Sequence, residues 1–119
     1  MQIERSITTE ADISQRALDC VLQYATRNNN RFLHGTDKYF NTPLDGTIKD
    51  IGSHREICIL KSIVDRTLTE NGFESLRDIY GMWKETNILS SEKDRPYKRK
   101  VLVKGLPEQP CFVFKFKKQ

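Results

Sequence analysis

Three patterns in the sequence predict an α+β fold, a winged helix made of three helices, a small antiparallel sheet and a C-terminal β-hairpin wing. Residues 73–87 repeat apolar side chains at helical spacing. Asn71-Gly72 separates this stretch from a shorter helical stretch, as in a helix-turn-helix. Residues 98–117 alternate apolar and basic side chains, which is typical of paired strands. A helix, a turn, a second helix and a basic hairpin, in this order, are the layout of a winged helix.

The first helix is expected from about Glu10 to Thr26. Thr9 followed by Asp12 resembles a capping box. Small and apolar residues then recur at helical spacing, at Ala11, Ser14, Ala17, Leu18, Val21, Leu22 and Ala25. Residues 1–8 are expected to be a flexible N-terminal arm, and residues 9–119 a single winged-helix domain.

A loop insertion is predicted at about 33–55. Asn28-Asn29-Asn30 stops the first helix, and the segment that follows contains several structure breakers, among them Gly35, Pro43, Gly46 and Gly52. Asp45-Gly46 predicts a turn into a short strand at Thr47-Ile48-Lys49. Three apolar side chains are expected to hold the loop on the core: Tyr39, Phe40 and Leu44.

The helix-turn-helix is expected to follow a buried strand, Ile57-Cys58-Ile59-Leu60. Ser62 with Asp65 predicts a capped helix that ends at Asn71-Gly72. The next helix, Phe73 to Asn87, is predicted to bury one apolar face that includes the only Trp: Leu76, Ile79, Tyr80 and Trp83. Its opposite face then carries Glu74, Asp78, Gly81 and Glu85. Carboxylates repel phosphates, so this helix is predicted to read the major groove poorly.

The wing is predicted from two alternating strands, Lys98–Lys104 and Cys111–Lys117. With a period of two residues, Phe112, Phe114 and Phe116 should face the core beside Val101 and Val103. Most of the lysines of the hairpin then share the outer side.

Positive charge is concentrated at the C-terminal end. Residues 93–118 hold nine Lys or Arg against two acidic residues, a net charge of +7, whereas the whole chain carries +4 and the remainder therefore −3. A basic end on a slightly acidic body is typical of binding to an anionic partner. Lysines on edge strands also prevent aggregation of hairpins, and this simpler explanation stays open at the level of sequence.

Several motifs together resemble one family. They are Ala17-Leu18-Asp19, Arg27-Asn28-Asn29-Asn30-Arg31-Phe32, Cys58-Ile59-Leu60 and Glu70-Asn71-Gly72-Phe73, followed by the basic hairpin. Over about Thr9 to Lys117 the chain is similar to the C-terminal domain of primase-helicase proteins of phages and mobile elements, including those like the replicative helicase of staphylococcal cassette elements. In that family the domain follows an AAA+ ATPase and is a winged helix. The resemblance implies an accessory DNA-binding or regulatory role beside that motor.

The sequence contains no motif for phosphate cradling or catalysis. It has no P-loop, no Gly-x-Ser-x-Gly and no His-Glu-x-x-His. His34 and His54 lack an organised nucleophile, so no enzyme activity, cofactor or small-molecule substrate is expected. Cys20, Cys58 and Cys111 lack metal-ligand spacing, and free thiols without a metal are expected. The sequence has no membrane-length apolar run and no signal-peptide segment, which favours a cytoplasmic location.

The leading hypothesis is a nucleic-acid-binding accessory module of a phage or mobile-element replicative helicase. It would contact the DNA backbone mainly through the basic wing, with little sequence preference. The candidate DNA-binding residues are Arg77, Lys84, Lys93, Arg95, Lys98, Arg99, Lys100, Lys104, Lys115 and Lys117. The alternative hypothesis is a protein-docking or regulatory domain that packs on the helicase motor or a replication partner without binding DNA. The acidic face of the 73–87 helix favours this alternative.

Overall fold

The fold consists of three helices packed on one face of a five-stranded sheet. The structure, a computed structural model, describes residues 2–34, 44–91, 95–102 and 105–117, with side chains from Ile13 onward. The elements are α1 (Gln2–Arg27), a 3-10 turn (Asn29–Arg31), β1 (Phe32–His34), β2 (Gly46–Ile51), β3 (His54–Leu60), α2 (Lys61–Glu70), α3 (Leu76–Glu85), β4 (Lys98–Lys100) and β5 (Gln109–Lys117). The predicted winged-helix class is confirmed.

The first helix begins earlier than the sequence predicts. It starts at Gln2 instead of about Glu10, and residues 2–9 contain no Gly or Pro that would stop it. The flexibility of residues 1–8 stays a prediction, because a helical backbone can be either rigid or mobile.

The sheet is larger than the sequence predicts, and it is mixed. Its strand order is β1-β2-β3-β5-β4. Strand β1 lies parallel to β2, and the other neighbours are antiparallel. Residues 46–55 are predicted to belong to a loop insertion with a short strand at 47–49. They contain that strand as the longer β2 and also the start of β3, joined at Gly52-Ser53 with Gly52 at φ +58°. Residues 35–43, which include Tyr39 and Phe40, lie outside the described residues.

The core lies between the helices and the inner face of the sheet. Trp83 is fully buried, contacts the rings of Phe112 and Phe114 edge-on, and donates its indole N–H to the Ser14 carbonyl at 3.0 Å. Phe112 and Phe114 are fully buried, and Phe116 packs against the same cluster. The predicted core positions of Trp83 and of the three Phe side chains are therefore confirmed.

The turn between α2 and α3 follows the predicted αL stop. Gly72 has φ +85°, its N–H donates to Thr69 O, and the next N–H, that of Phe73, donates to Leu68 O. This pairing is a Schellman motif, which satisfies carbonyls at the end of α2. Helix α3 begins only at Leu76, because Ser75 takes a left-handed conformation (φ 53°) that interrupts the helix.

The predicted capping box at the start of α2 is wrong. The N-cap position is Leu60, without a side-chain cap. Asp65 instead accepts hydrogen bonds from Lys61 Nζ and from the hydroxyl of Tyr80. A distant partner on α3 therefore replaces the local bond that the sequence pattern suggests.

The inward residues of the first wing strand also differ from the prediction. Val101 is 38% exposed, whereas Leu102 is buried with Cys58, Cys111 and Val113 on the outer face of the sheet. The chain after β4 therefore crosses that face instead of continuing beside the Phe side chains. Val103 lies outside the described residues.

Candidate nucleic-acid interface

Four of the wing lysines lie on the outer face of the sheet, opposite the helices. Lys98 stands across from Cys111, and Lys100 from Gln109. Side chains alternate along a strand, so Lys115 and Lys117 share the outer face with Cys111. Lys115 and Lys117 are exposed, and Lys98 and Lys100 are half-buried. The structure thus brings together these four predicted residues: Lys98, Lys100, Lys115 and Lys117.

The hairpin of β2 and β3 adds one lysine, one histidine and one carboxylate to the same face. Lys49 stands across from Glu56, which stands across from Lys115, and His54 stands across from Lys117. Lys49 is not among the predicted contact residues, because the sequence predicts a short strand there but not the pairing of that strand with β3. The Gly52-Ser53 turn between two runs of strand-forming residues was a signal that could have found it.

Glu56 is a carboxylate surrounded by lysines on this face. Its Oε1 lies 3.8 Å from Lys100 Nζ, and the strand register places Lys49 and Lys115 beside it on the two neighbouring strands. Directly opposite side chains of an antiparallel pair are about 5 Å apart at Cβ. One negative charge therefore partly neutralises three positive ones at the centre of the basic surface.

A small apolar cluster lies on the same outer face, beside these lysines. Cys58, Leu102, Cys111 and Val113 are all buried there, and both cysteines are free thiols as predicted. A hydrogen bond with Cys58, together with burial, raises the pKa of the Cys111 thiol above its usual value. The same hydrogen bond lowers the pKa of the Cys58 thiol, so Cys111 is the member of the pair that keeps its proton more firmly.

Two predicted arginines lie at the edge strand but on its other side. Arg99 alternates with Lys98 and Lys100, so it leaves β4 on the inner side, and it is exposed. The guanidinium of Arg95 lies 5.4 Å from the ring centroid of Tyr97, and that ring packs edge-on against Phe112 of the core. These arginines extend the basic charge around the rim of the sheet.

Arg77 and Lys84, two further predicted residues, do not join the outer face. Arg77 is exposed and Lys84 half-buried on α3, which packs on the inner face of the sheet. Contact of both Arg77 and the outer lysines with one stretch of DNA would require the DNA to pass around the sheet edge. Lys93 and Lys104 lie outside the described residues.

The exposed side of α3 carries Asp78 and Glu85, as the sequence predicts, whereas Glu74, predicted on the same helix face, lies before the helix begins. Ile79, Tyr80 and Trp83 are buried, whereas Glu74, Asp78 and Glu85 are exposed; Leu76 is half-buried. In a helix-turn-helix the second helix is the element that enters the major groove. Here its outward stripe carries charge of the same sign as the phosphates.

The described residues contain neither a metal-binding cluster nor a membrane-spanning helix. Across the part of the chain that the structure describes, no group of three or more His, Cys, Asp or Glu side chains is placed to hold a metal ion. None of the helices in the same residues combines the length and the apolarity needed to cross a bilayer.

Comparisons with known proteins agree with this architecture. A family model described as the Cch helix-turn-helix domain matches residues 12–119. A solved structure described as the SCCmec type IV Cch active helicase is similar over 96% of this chain, with a TM-score of 0.67 and 14% sequence identity. This chain spans 20% of the length of that helicase. No curated protein matches the sequence.

Proposed function

This chain belongs to the family of Cch helix-turn-helix domains, and we propose that it is a DNA-binding accessory module whose main contact surface is the outer face of its sheet. The family agrees with the resemblance stated from the sequence motifs. The proposed partner is the phosphate backbone of DNA, recognised with little dependence on base sequence. The proposed setting is a mobile-element or phage replicative helicase, with the AAA+ motor of the same protein as neighbour.

The observation that carries the proposal is the grouping of Lys98, Lys100, Lys115 and Lys117 on one face. Lysines that neutralise phosphates release condensed counterions, which provides most of the affinity of sequence-independent binding. Lys49 and His54 extend this face across two further strands. The lysines lie on paired strands, so their spacing is set by the sheet, and binding loses less conformational entropy than on a mobile loop.

The side chains of this face also suggest which form of DNA is preferred. The described strand residues of the outer face include no Phe, Tyr or Trp, whereas Phe112, Phe114 and Phe116 all point to the inner side. Binding to single strands usually includes stacking of bases on aromatic rings. We therefore expect duplex DNA to bind at least as well as a single strand of the same length.

Helix α3 is poorly suited to enter the major groove, and this favours the outer face of the sheet as the contact surface. Insertion of the outward side of α3 into the major groove would bring Asp78 and Glu85, with Glu74 just before the helix, close to phosphates and base edges. A surface with four lysines and one partly neutralising carboxylate is favoured over it by simple Coulomb attraction. Arg77 and Lys84 are proposed as secondary contacts on DNA that passes around the sheet edge.

The test is a salt series with labelled duplex and single-stranded DNA, followed by fluorescence anisotropy. If about four phosphates are neutralised, the logarithm of the binding constant should fall against the logarithm of salt concentration with a slope of roughly −3.6. The double variant Lys98→Glu and Lys100→Glu should weaken binding strongly. Arg27→Glu with Arg66→Glu changes the charge equally at exposed helix positions and is the matched control.

An equal loss of affinity in both double variants would show that only net charge matters and would contradict the proposed surface. Anisotropy that does not change at low salt, with a folded chain, would contradict DNA binding itself. Circular dichroism on each variant separates loss of binding from loss of fold.

A further inference from the structure

A groove with a partly apolar floor lies between α1 and the exposed side of α3. Ile13 of α1, Phe73 of the turn and Met82 of α3 line it, and each is half-buried and packs against the core. The guanidinium of Arg16 lies 5.8 Å from the ring centroid of Phe73 at one side of the groove. The floor therefore presents apolar side chains that the described residues cover only in part.

The rim of the groove on α3 is formed by carboxylates. Glu74, Asp78 and Glu85 line it and are exposed; Asp78 and Glu85 lie on one side of α3, and Glu74 lies just before the helix. Arg77, at the edge of this side, is the basic side chain that α3 contributes to the lining. Exposed carboxylates next to apolar surface favour a partner with Lys or Arg beside apolar residues, and they disfavour nucleic acid.

Gly81 marks the middle of this side of α3. It lies inside α3 between Asp78 and Glu85, where Gly is less favourable than Ala for helix stability. A Cβ built at Gly81 meets no atom within 4 Å, so packing in the described part of the chain does not require Gly there. The missing side chain leaves space in which a partner can approach the backbone of α3 closely.

From these three observations we propose that the groove between α1 and α3 docks a basic amphipathic helix of a partner protein. The apolar side of that helix would cover Ile13, Phe73 and Met82. Its Lys or Arg residues would pair with Asp78 and Glu85. A helix laid into an apolar groove is a common mode of peptide recognition. The groove lies on the helix side of the sheet, so this proposal stands independently of DNA binding by the outer face.

The test uses the full chain and a synthetic peptide probe. The probe is a fluorescein-labelled amphipathic helix of Leu and Lys, roughly 18 residues long so that it is helical in water. A Leu and Glu peptide of the same length is the charge-inverted probe. We expect anisotropy to give a dissociation constant of about 10 µM for the basic probe and at least tenfold weaker binding for the acidic one.

Three variants distinguish the groove from a general surface effect. Asp78→Lys should weaken binding of the basic probe about tenfold. Glu108→Lys makes the same charge change at an exposed wing residue and should change the affinity for the basic probe less than about twofold. Gly81→Gln should fill the groove and weaken binding about fivefold, while the Tm stays equal or rises because Gln is the better helix former.

The proposal is overturned if Asp78→Lys and Glu108→Lys weaken the basic probe equally, or if the acidic probe binds as well as the basic one. It is also overturned if sedimentation shows a dimer of the chain that Asp78→Lys dissociates, since a second copy would then occupy the groove.

Discussion

The outer face of the sheet and the exposed side of α3 carry opposite charge on opposite sides of one small domain. The outer face presents Lys98, Lys100, Lys115 and Lys117, whereas α3 presents Asp78 and Glu85, with Glu74 just before it. Both surfaces rest on one core, since Trp83 of α3 packs directly on Phe112 and Phe114 of β5. The comparison teaches that a helix-turn-helix fold does not decide which element meets the nucleic acid. Under the proposed function, the distribution of charge over the scaffold assigns that role to the sheet.

The largest expected effect is the loss of stability when a core residue that packs beneath both surfaces is removed. Trp83→Ala deletes a fully buried indole and its hydrogen bond to the Ser14 carbonyl. Loss of a buried Trp costs about 3–5 kcal/mol of unfolding free energy, through lost burial and the cavity left behind. Urea unfolding followed by circular dichroism measures it. Trp83→Phe should lower the free energy of unfolding clearly less. Similar decreases in the two variants would contradict the packing role of Trp83.

The next largest effect is the loss of DNA affinity when charge is reversed on the outer face, compared with the same reversal on α3. Lys115→Glu with Lys117→Glu should weaken duplex binding by roughly 10–100-fold, about 1.4–2.8 kcal/mol, because two phosphate contacts become repulsive. Arg77→Glu with Lys84→Glu makes the same charge change on α3 and should weaken binding less than about threefold. Anisotropy at one fixed salt concentration compares them. A larger loss in the α3 pair would reverse the assignment of the surface.

The charge contrast between these surfaces was largely predictable from sequence, because it follows from periodicity. The spacing of Ile79, Tyr80 and Trp83 defines the buried face of α3, and the acidic stripe is its geometric complement. Alternation in residues 111–117 defines the two sides of β5 in the same way. Short-range repeats of this kind need no knowledge of distant partners.

Features that depend on distant pairing were not predictable in this way. The outward position of Val101 and the burial of Leu102 arise because the chain after β4 crosses the outer face, which no local pattern encodes. Lys49 joins the basic face only because β2 pairs with β3 in a particular register. Asp65 was read as a local cap, but it bonds Tyr80, fifteen residues away. The groove between α1 and α3 likewise requires two elements that lie far apart in sequence.

The hydrogen bond between Tyr80 and Asp65 links α3 to the start of α2, near the wing. The hydroxyl of Tyr80 donates to Asp65 Oδ1 at 2.5 Å. Lys61, which also bonds Asp65, lies 5.9 Å from the ring centroid of Tyr80 and 5.8 Å from that of Tyr97. Burial, and then the bond to Asp65, raise the pKa of Tyr80 well above its usual value. Tyr80→Phe should therefore lower the unfolding free energy by about 1 kcal/mol at neutral pH.

The pH dependence of this effect has a definite sign. A raised pKa in the folded state means that the unfolded state loses the Tyr80 proton first as pH rises. The contribution is therefore fully present below about pH 10, the usual pKa of Tyr, and declines above it. Urea unfolding of both proteins at pH 7, 9 and 11 should show a difference that is constant up to pH 9 and smaller at pH 11. A difference that grows with pH would contradict the assignment.

The smallest expected effect concerns Glu56, the carboxylate at the centre of the basic surface. Glu56→Gln frees Lys100 from its ion pair and removes a repulsive charge from the path of the phosphates. An ion pair at this degree of exposure is worth about 0.5 kcal/mol, so duplex affinity should rise only about two- to threefold, with little change in stability. Asp78→Asn removes the same charge from α3 and should leave affinity almost unchanged, because the solvent screens it at that distance. Equal gains in the two variants would mean that DNA responds to net charge alone, and the two sides of the domain would then be equivalent in binding.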